Sequence, residues 1–150
     1  MIPRGAQGVA NLAARIAGDL IPRAADAYTA YDLGLLAALI GMVAQDYDRA
    51  AAVLADEQAA LTPILGQAAD HLGDGALKDR IAAALALPSP GLRVSELTTR
   101  SDLTLRLLID VHAAVETVAI AGEAWARKLD AEIWRFLDAQ ATAQAYAVAL

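Results

Sequence analysis

LGLLAALIGMVAQDYDRAAAVLADEQAAL, residues 33–61, is the stretch that decides the fold. Leu33, Leu36, Ile40, Val43, Tyr47, Ala50, Leu54 and Leu61 recur in it at helical intervals, the spacing that lines one face of an α-helix with apolar side chains. The pattern begins at about Arg23 and persists far beyond the length of a strand, so it predicts one long helix. Alanine is the commonest residue of the chain, and it loses no side-chain entropy on entering a helix.

Working outward, Val9, Leu12, Ala13, Ile16 and Leu20 form a shorter helical pattern over residues 6–20, stopped by Pro22. Downstream, Pro63 lacks a backbone donor and crowds the carbonyl four residues back, which predicts a kink or break between Ala60 and Pro63. Gly73-Asp74-Gly75 reads as a turn. A short helix follows over residues 76–87, closed by Pro88-Ser89-Pro90-Gly91.

Ser95 is placed to cap the next helix through its hydroxyl. A second stripe then runs through Thr104, Leu108, Val111, Val115, Val118, Gly122, Trp125, Leu129 and Phe136, with Glu132 interrupting it. Glycine costs about 1 kcal/mol relative to alanine inside a helix, so a break is expected at Gly122. The two stripes should pack on each other, antiparallel and at a shallow angle, with the shorter helices covering the remaining apolar sides. The expected fold is an all-α antiparallel bundle of four to five helices, built on two long helices as a single domain over residues 1–150.

Twelve Lys and Arg against 18 Asp and Glu leave a net charge of −6. That balance repels phosphate backbones and anionic lipid, so neither nucleic acid nor membrane is expected as a partner. The absence of cysteine excludes disulfides, thiolate nucleophiles and cysteine-ligated metal. Leu33–Ala44 is the longest nearly unbroken apolar run and falls short of the roughly 20 residues of a membrane span; it reads as a buried helix segment. Met1–Leu20 lacks the compact apolar centre of a secretion signal, and the expected location is the cytoplasm. With 57% hydrophobic residues and a mean hydropathy of +0.40, more apolar surface is present than one small core needs, which predicts a homodimer.

Candidate chemistry is sparse. Carboxylate-bridged metal centres in helical bundles use Glu-x-x-His pairs. Here Glu57, Glu96, Glu116, Glu123 and Glu132 are followed three positions later by Ala60, Thr99, Ala119, Ala126 and Arg135. The remaining candidate ligands are His112 and Glu116, one turn apart on a helix, with Asp110 near in sequence and Glu57 and Glu132 on the apolar stripes. The plainer reading makes His112 and Glu116 a hydrogen-bonded pair on the helix surface. No metal and no cofactor are expected.

Val94 to Thr104 resembles the cadence of a helix-turn-helix in winged-helix regulators, but Leu105-Arg106-Leu107-Leu108-Ile109-Asp110 is too apolar for a helix that reads bases. Among Tyr28, Tyr31, Asp32, Asp46, Tyr47 and Asp48, Tyr47 reads as core and the acids as its solvated flank. His71 beside Asp70 reads as a surface residue at a helix end. No nucleophile with a base in reach can be assembled. The sequence therefore reads as a non-catalytic helical bundle acting through protein contacts, as an adaptor, chaperone-like or regulatory subunit; the alternative is a metal- or small-ligand-binding bundle with its site between the long helices.

Overall fold

A computed structural model describes residues 4–147, and the chain is all-α, with five α-helices and no strand among the described residues. Helix α1 (Gly5–Arg15) widens into a π-type turn (Ile16–Leu20) and tightens into a 3-10 turn (Ile21–Arg23) that holds Pro22. Then come α2 (Ala27–His71), α3 (Ala76–Leu85), α4 (Val94–Ile120) and α5 (Ala124–Ala143). The helices group into two compact units. One comprises the chain up to Ala50 with the segment from Ala145, and the other is Ala51–Gln144. Helix α2 passes through both.

Helix α2 is 45 residues long and has Pro63 inside it, so of the kink or break expected between Ala60 and Pro63 the break does not occur. The reason is tertiary: Leu61, Ile64 and Leu65 around the proline are buried, and their packing holds the helix on course. Ala59 and Pro63 are exposed, and the Thr62 hydroxyl donates to the Gln58 carbonyl at 2.7 Å. At the start of α2, Asp26 caps the helix. Its carboxylate accepts the Thr29 amide at 2.8 Å and the Thr29 hydroxyl at 2.9 Å, and those bonds hold its pKa below the ordinary value. The cap is therefore complete above the ordinary aspartate range and is lost as pH falls through the lowered pKa.

The core of the Ala51–Gln144 unit is assembled from all four of its helices. Leu61, Ile64, Leu65 and Ala68 come from α2, Ile81 and Ala84 from α3, Leu107, Leu108, Val111 and Val115 from α4, and Ala126, Leu129, Ile133 and Phe136 from α5. Each fully buried Leu, Ile or Phe contributes about 1.5–3 kcal/mol relative to an exposed one. Of the first stripe only Leu61 meets the second in this core; the rest of the α2 contact with Leu107–Val115 is made by Ile64, Leu65 and Ala68, beyond that stripe. Ile40 has no place in this cluster.

Helix α4 begins at Val94 with Arg93 as its cap residue and no side-chain cap bond. Ser95 therefore lies inside the first turn, contrary to expectation, where its carbonyl accepts the Thr99 hydroxyl at 2.9 Å. The break at Gly122 is present. Gly122 has φ +104°, and the corner closes with its amide on the Ala119 carbonyl at 3.0 Å and the Glu123 amide on the Val118 carbonyl at 3.4 Å. That pair of bonds is the Schellman pattern, which requires a left-handed residue just past the helix. Helix α5 starts two residues later and ends at Ala143.

In the N-terminal unit small residues face small residues. Ala13, Ala14 and Ala17 line one trough with Gly34, Ala37, Ala38 and Gly41 of α2, and Gly5 lies so close to the Tyr47 ring that a side chain there would collide with it. The segment from Ala145 docks on the same unit: Gln45 exchanges two 3.0 Å bonds with the Ala147 backbone, and Arg49 donates to the Ala145 carbonyl at 2.8 Å. Small side chains cover little area, and Ala44 alone is buried between Arg4 and Ala50. The expectation that Leu33–Ala44 is a buried segment is therefore corrected. So is that of Tyr47 as a core residue, since it is 68% exposed.

Two substitutions test this packing by denaturant unfolding. Leu65→Ala, at a site with no exposure, is expected to lower stability by about 2–5 kcal/mol. A Cβ at Gly122 would meet open space, so Gly122→Ala should cost only the left-handed backbone penalty, about 1–2 kcal/mol; no loss would contradict the corner as described.

Candidate functional site

His112 and Glu116 sit one turn apart on α4, with Nε2 and Oε1 3.7 Å apart. Their third neighbour comes from α5: Asp130 Oδ1 lies 2.9 Å from His112 Nε2. Trp134, one turn after Asp130, sets its ring edge-on to the imidazole, with centroids 5.4 Å apart and planes at 78°. His112 and Asp130 are half-buried while Glu116 is exposed. Among the described residues, these three form the group of His, Asp and Glu whose ligand atoms all lie within 4.8 Å of one another.

The other candidate ligands are elsewhere. Asp110 pairs with Arg80 of α3 at 2.7 Å. Glu57 of α2 is 2% exposed, and its Oε1 accepts a very short hydrogen bond from the buried Ser101 hydroxyl of α4. Beside it Gln58 Nε2 donates to Thr104 Oγ1 at 2.8 Å. Glu132 is half-buried and accepts from Gln67 Nε2 at 3.1 Å, with Lys128 and Arg135 alongside at 3.9 and 4.0 Å. Each of these two acids joins α2 to a neighbouring helix, and convergence with His112 is not seen.

Asp130 was missed because it lies across the Gly122 corner. Helices folded back about Ala121 bring together residues equally far from it in sequence, and His112 and Asp130 are each nine positions away. The glycine break was legible in the sequence, but the antiparallel return of α5 on α4 was not, and the pair needs both.

The remaining candidates carry no assembled chemistry. Val94–Ile120 is one unbroken helix, which removes the turn that a helix-turn-helix needs. Tyr28 and Tyr31 are exposed. Asp46 accepts a 2.8 Å bond from the Tyr146 hydroxyl, and that carboxylate raises the tyrosine's pKa. His71, the last residue of α2, stacks on Trp125 with ring centroids 4.7 Å apart.

The second notable surface is on the N-terminal half of α2. Tyr31, Leu35, Leu39, Val43 and Tyr47 follow one another at steps of four, and they are 65%, 47%, 58%, 56% and 68% exposed. The helix has an 18-residue window of mean hydropathy 1.5, long and apolar enough to cross a membrane, of which 6% is buried. Comparison of the chain with protein families, with curated proteins and with solved structures finds no match.

Both acids of the α2 junction were named from their interruption of an apolar face, and Glu57 offers the sharper test. Glu57→Ala should cost about 1–3 kcal/mol in urea unfolding, because the buried Ser101 hydroxyl loses its acceptor. The Glu57→Leu, Ser101→Ala double substitution, which removes both polar partners, should recover most of that loss; equal damage from both would contradict the reading.

Proposed function

We propose that this chain is a non-catalytic helical protein that works through protein contacts, and that its contact surface is the exposed ridge of α2, covered by a second copy of the same chain. The observation that carries the reading is the order of that ridge. Tyr31, Leu35, Leu39, Val43 and Tyr47 read nearly the same in both directions about Leu39: tyrosine, aliphatic, leucine, aliphatic, tyrosine.

A two-fold interface requires one patch to be complementary to itself. Antiparallel pairing about Leu39 sets Leu35 against the partner's Val43, with the tyrosines, each about 80° round the helix from Leu39, at the rim of the contact. Residues at steps of four form a tilted ridge, and two such ridges interdigitate at a crossing angle of about −50°, the commonest way globular helices pack. Large apolar side chains left in water favour association at about 25 cal/mol per Å² buried.

Charge argues for a protein occupant over an anionic lipid surface. Asp32, Asp46 and Asp48 border the ridge and the chain as a whole carries −6; anionic bilayers attract clusters of Lys and Arg instead. On this reading the protein is a cytoplasmic dimer with an adaptor or regulatory role.

Sedimentation equilibrium tests it. The wild-type chain should have a dimer mass and Leu39→Glu a monomer mass with unchanged helical circular dichroism. Because the chain has no cysteine, Leu39→Cys should form a disulfide-linked dimer with itself. A wild-type monomer at about 100 µM, well above the micromolar range of weak association, would refute the proposal. So would a dimer indifferent to Leu39→Glu, or partition of the wild type into neutral vesicles.

A further inference from the structure

We infer that His112, Glu116 and Asp130 form a binding site for a first-row divalent metal ion, of which zinc is the representative, on the α4–α5 hairpin. The donor set is one imidazole and two carboxylates. Imidazole suits zinc, iron, nickel and copper, whereas magnesium and calcium take oxygen alone. Three protein ligands with one position left for water is the composition of an open zinc site.

The distances fit. Ligand atoms held about 2.0–2.2 Å from a single ion lie about 2.8–3.6 Å from their neighbours in octahedral or tetrahedral geometry. His112 Nε2 stands 2.9 Å from Asp130 Oδ1 and 3.7 Å from Glu116 Oε1, and all three ligand atoms lie within 4.8 Å of one another, so an ion is held once Glu116 closes inward. Glu116 is the outermost of the three, 52% exposed at its side chain, and can swing in without disturbing the core. The other two are placed by structure that the sequence makes rigid. Val111 and Val115 flank His112 in the core of α4, Leu129 and Ile133 flank Asp130 in α5, and the Gly122 corner sets the register between them. Trp134 stands edge-on beside the imidazole.

The competing account is that the His112–Asp130 bond is only a clasp holding the hairpin. The two differ in what a carboxamide does at position 130. Asp130→Asn keeps an oxygen that can accept the imidazole N–H, so a clasp survives it; a metal site does not, because a neutral amide is a poor ligand.

Titration calorimetry of the purified full chain with zinc chloride, after treatment with chelator, is the test. One zinc per chain is expected, with the affinity falling by at least about 10- to 100-fold in Asp130→Asn, the range seen when even an outer partner of a ligand is lost. Exposed Glu116→Gln should weaken binding in the same direction with no change in unfolding midpoint, which separates ligation from folding. Cobalt or nickel should quench the fluorescence of Trp134, and Trp134→Phe should abolish that quenching without abolishing zinc binding. No stoichiometric zinc, or zinc binding unchanged in both Asp130→Asn and Glu116→Gln, overturns the inference.

Discussion

The structure depends on burial of a short apolar row, Leu61, Ile64, Leu65 and Ala68, against the facing rows of α3, α4 and α5. This contact carries α2 past Pro63, where local chemistry alone would end it. It also gives α4 and α5 a common surface, so that the three-residue corner Ala121–Glu123 suffices to join them. Once those helices are antiparallel about that corner, His112 has Asp130 for a neighbour. Hydrophobic burial thus determines a polar arrangement that has no local motif behind it.

The same helix shows what periodicity does and does not tell. Leu33–Leu61 was readable as helix because three-and-four spacing and alanine content agree with each other. Spacing says which side chains share a face and nothing about what covers that face. Leu61 is buried, whereas Leu39 and Val43 stand in water, although all three belong to one helix. The covering partner was assumed to be the second stripe, but that stripe is satisfied by Leu61–Ala68 together with Ile81 and Ala84.

Legibility at the candidate sites varied in the same way. His112 and Glu116 were visible because four-residue spacing within a helix is local. Asp130 required the hairpin register, and Glu57 was visible only as an acid on an apolar face. Its partner Ser101 was not, since a lone serine in a helix carries no signal of the element it will meet. The Ser95 cap missed by two positions, because Arg93 is the cap residue and the helix starts at Val94, which puts Ser95 inside the first turn.

The second half of α2 is held by burial within its own fold, and the proposed dimer would cover the exposed ridge of its first half. Amide hydrogen exchange along α2, followed as a function of protein concentration, tests this most directly. Amides from Leu61 to Ala68 should exchange slowly at every concentration, and those from Tyr31 to Tyr47 should gain protection as concentration rises. Uniform protection along the whole helix at high dilution, or fast exchange at Leu61–Ala68, would contradict it.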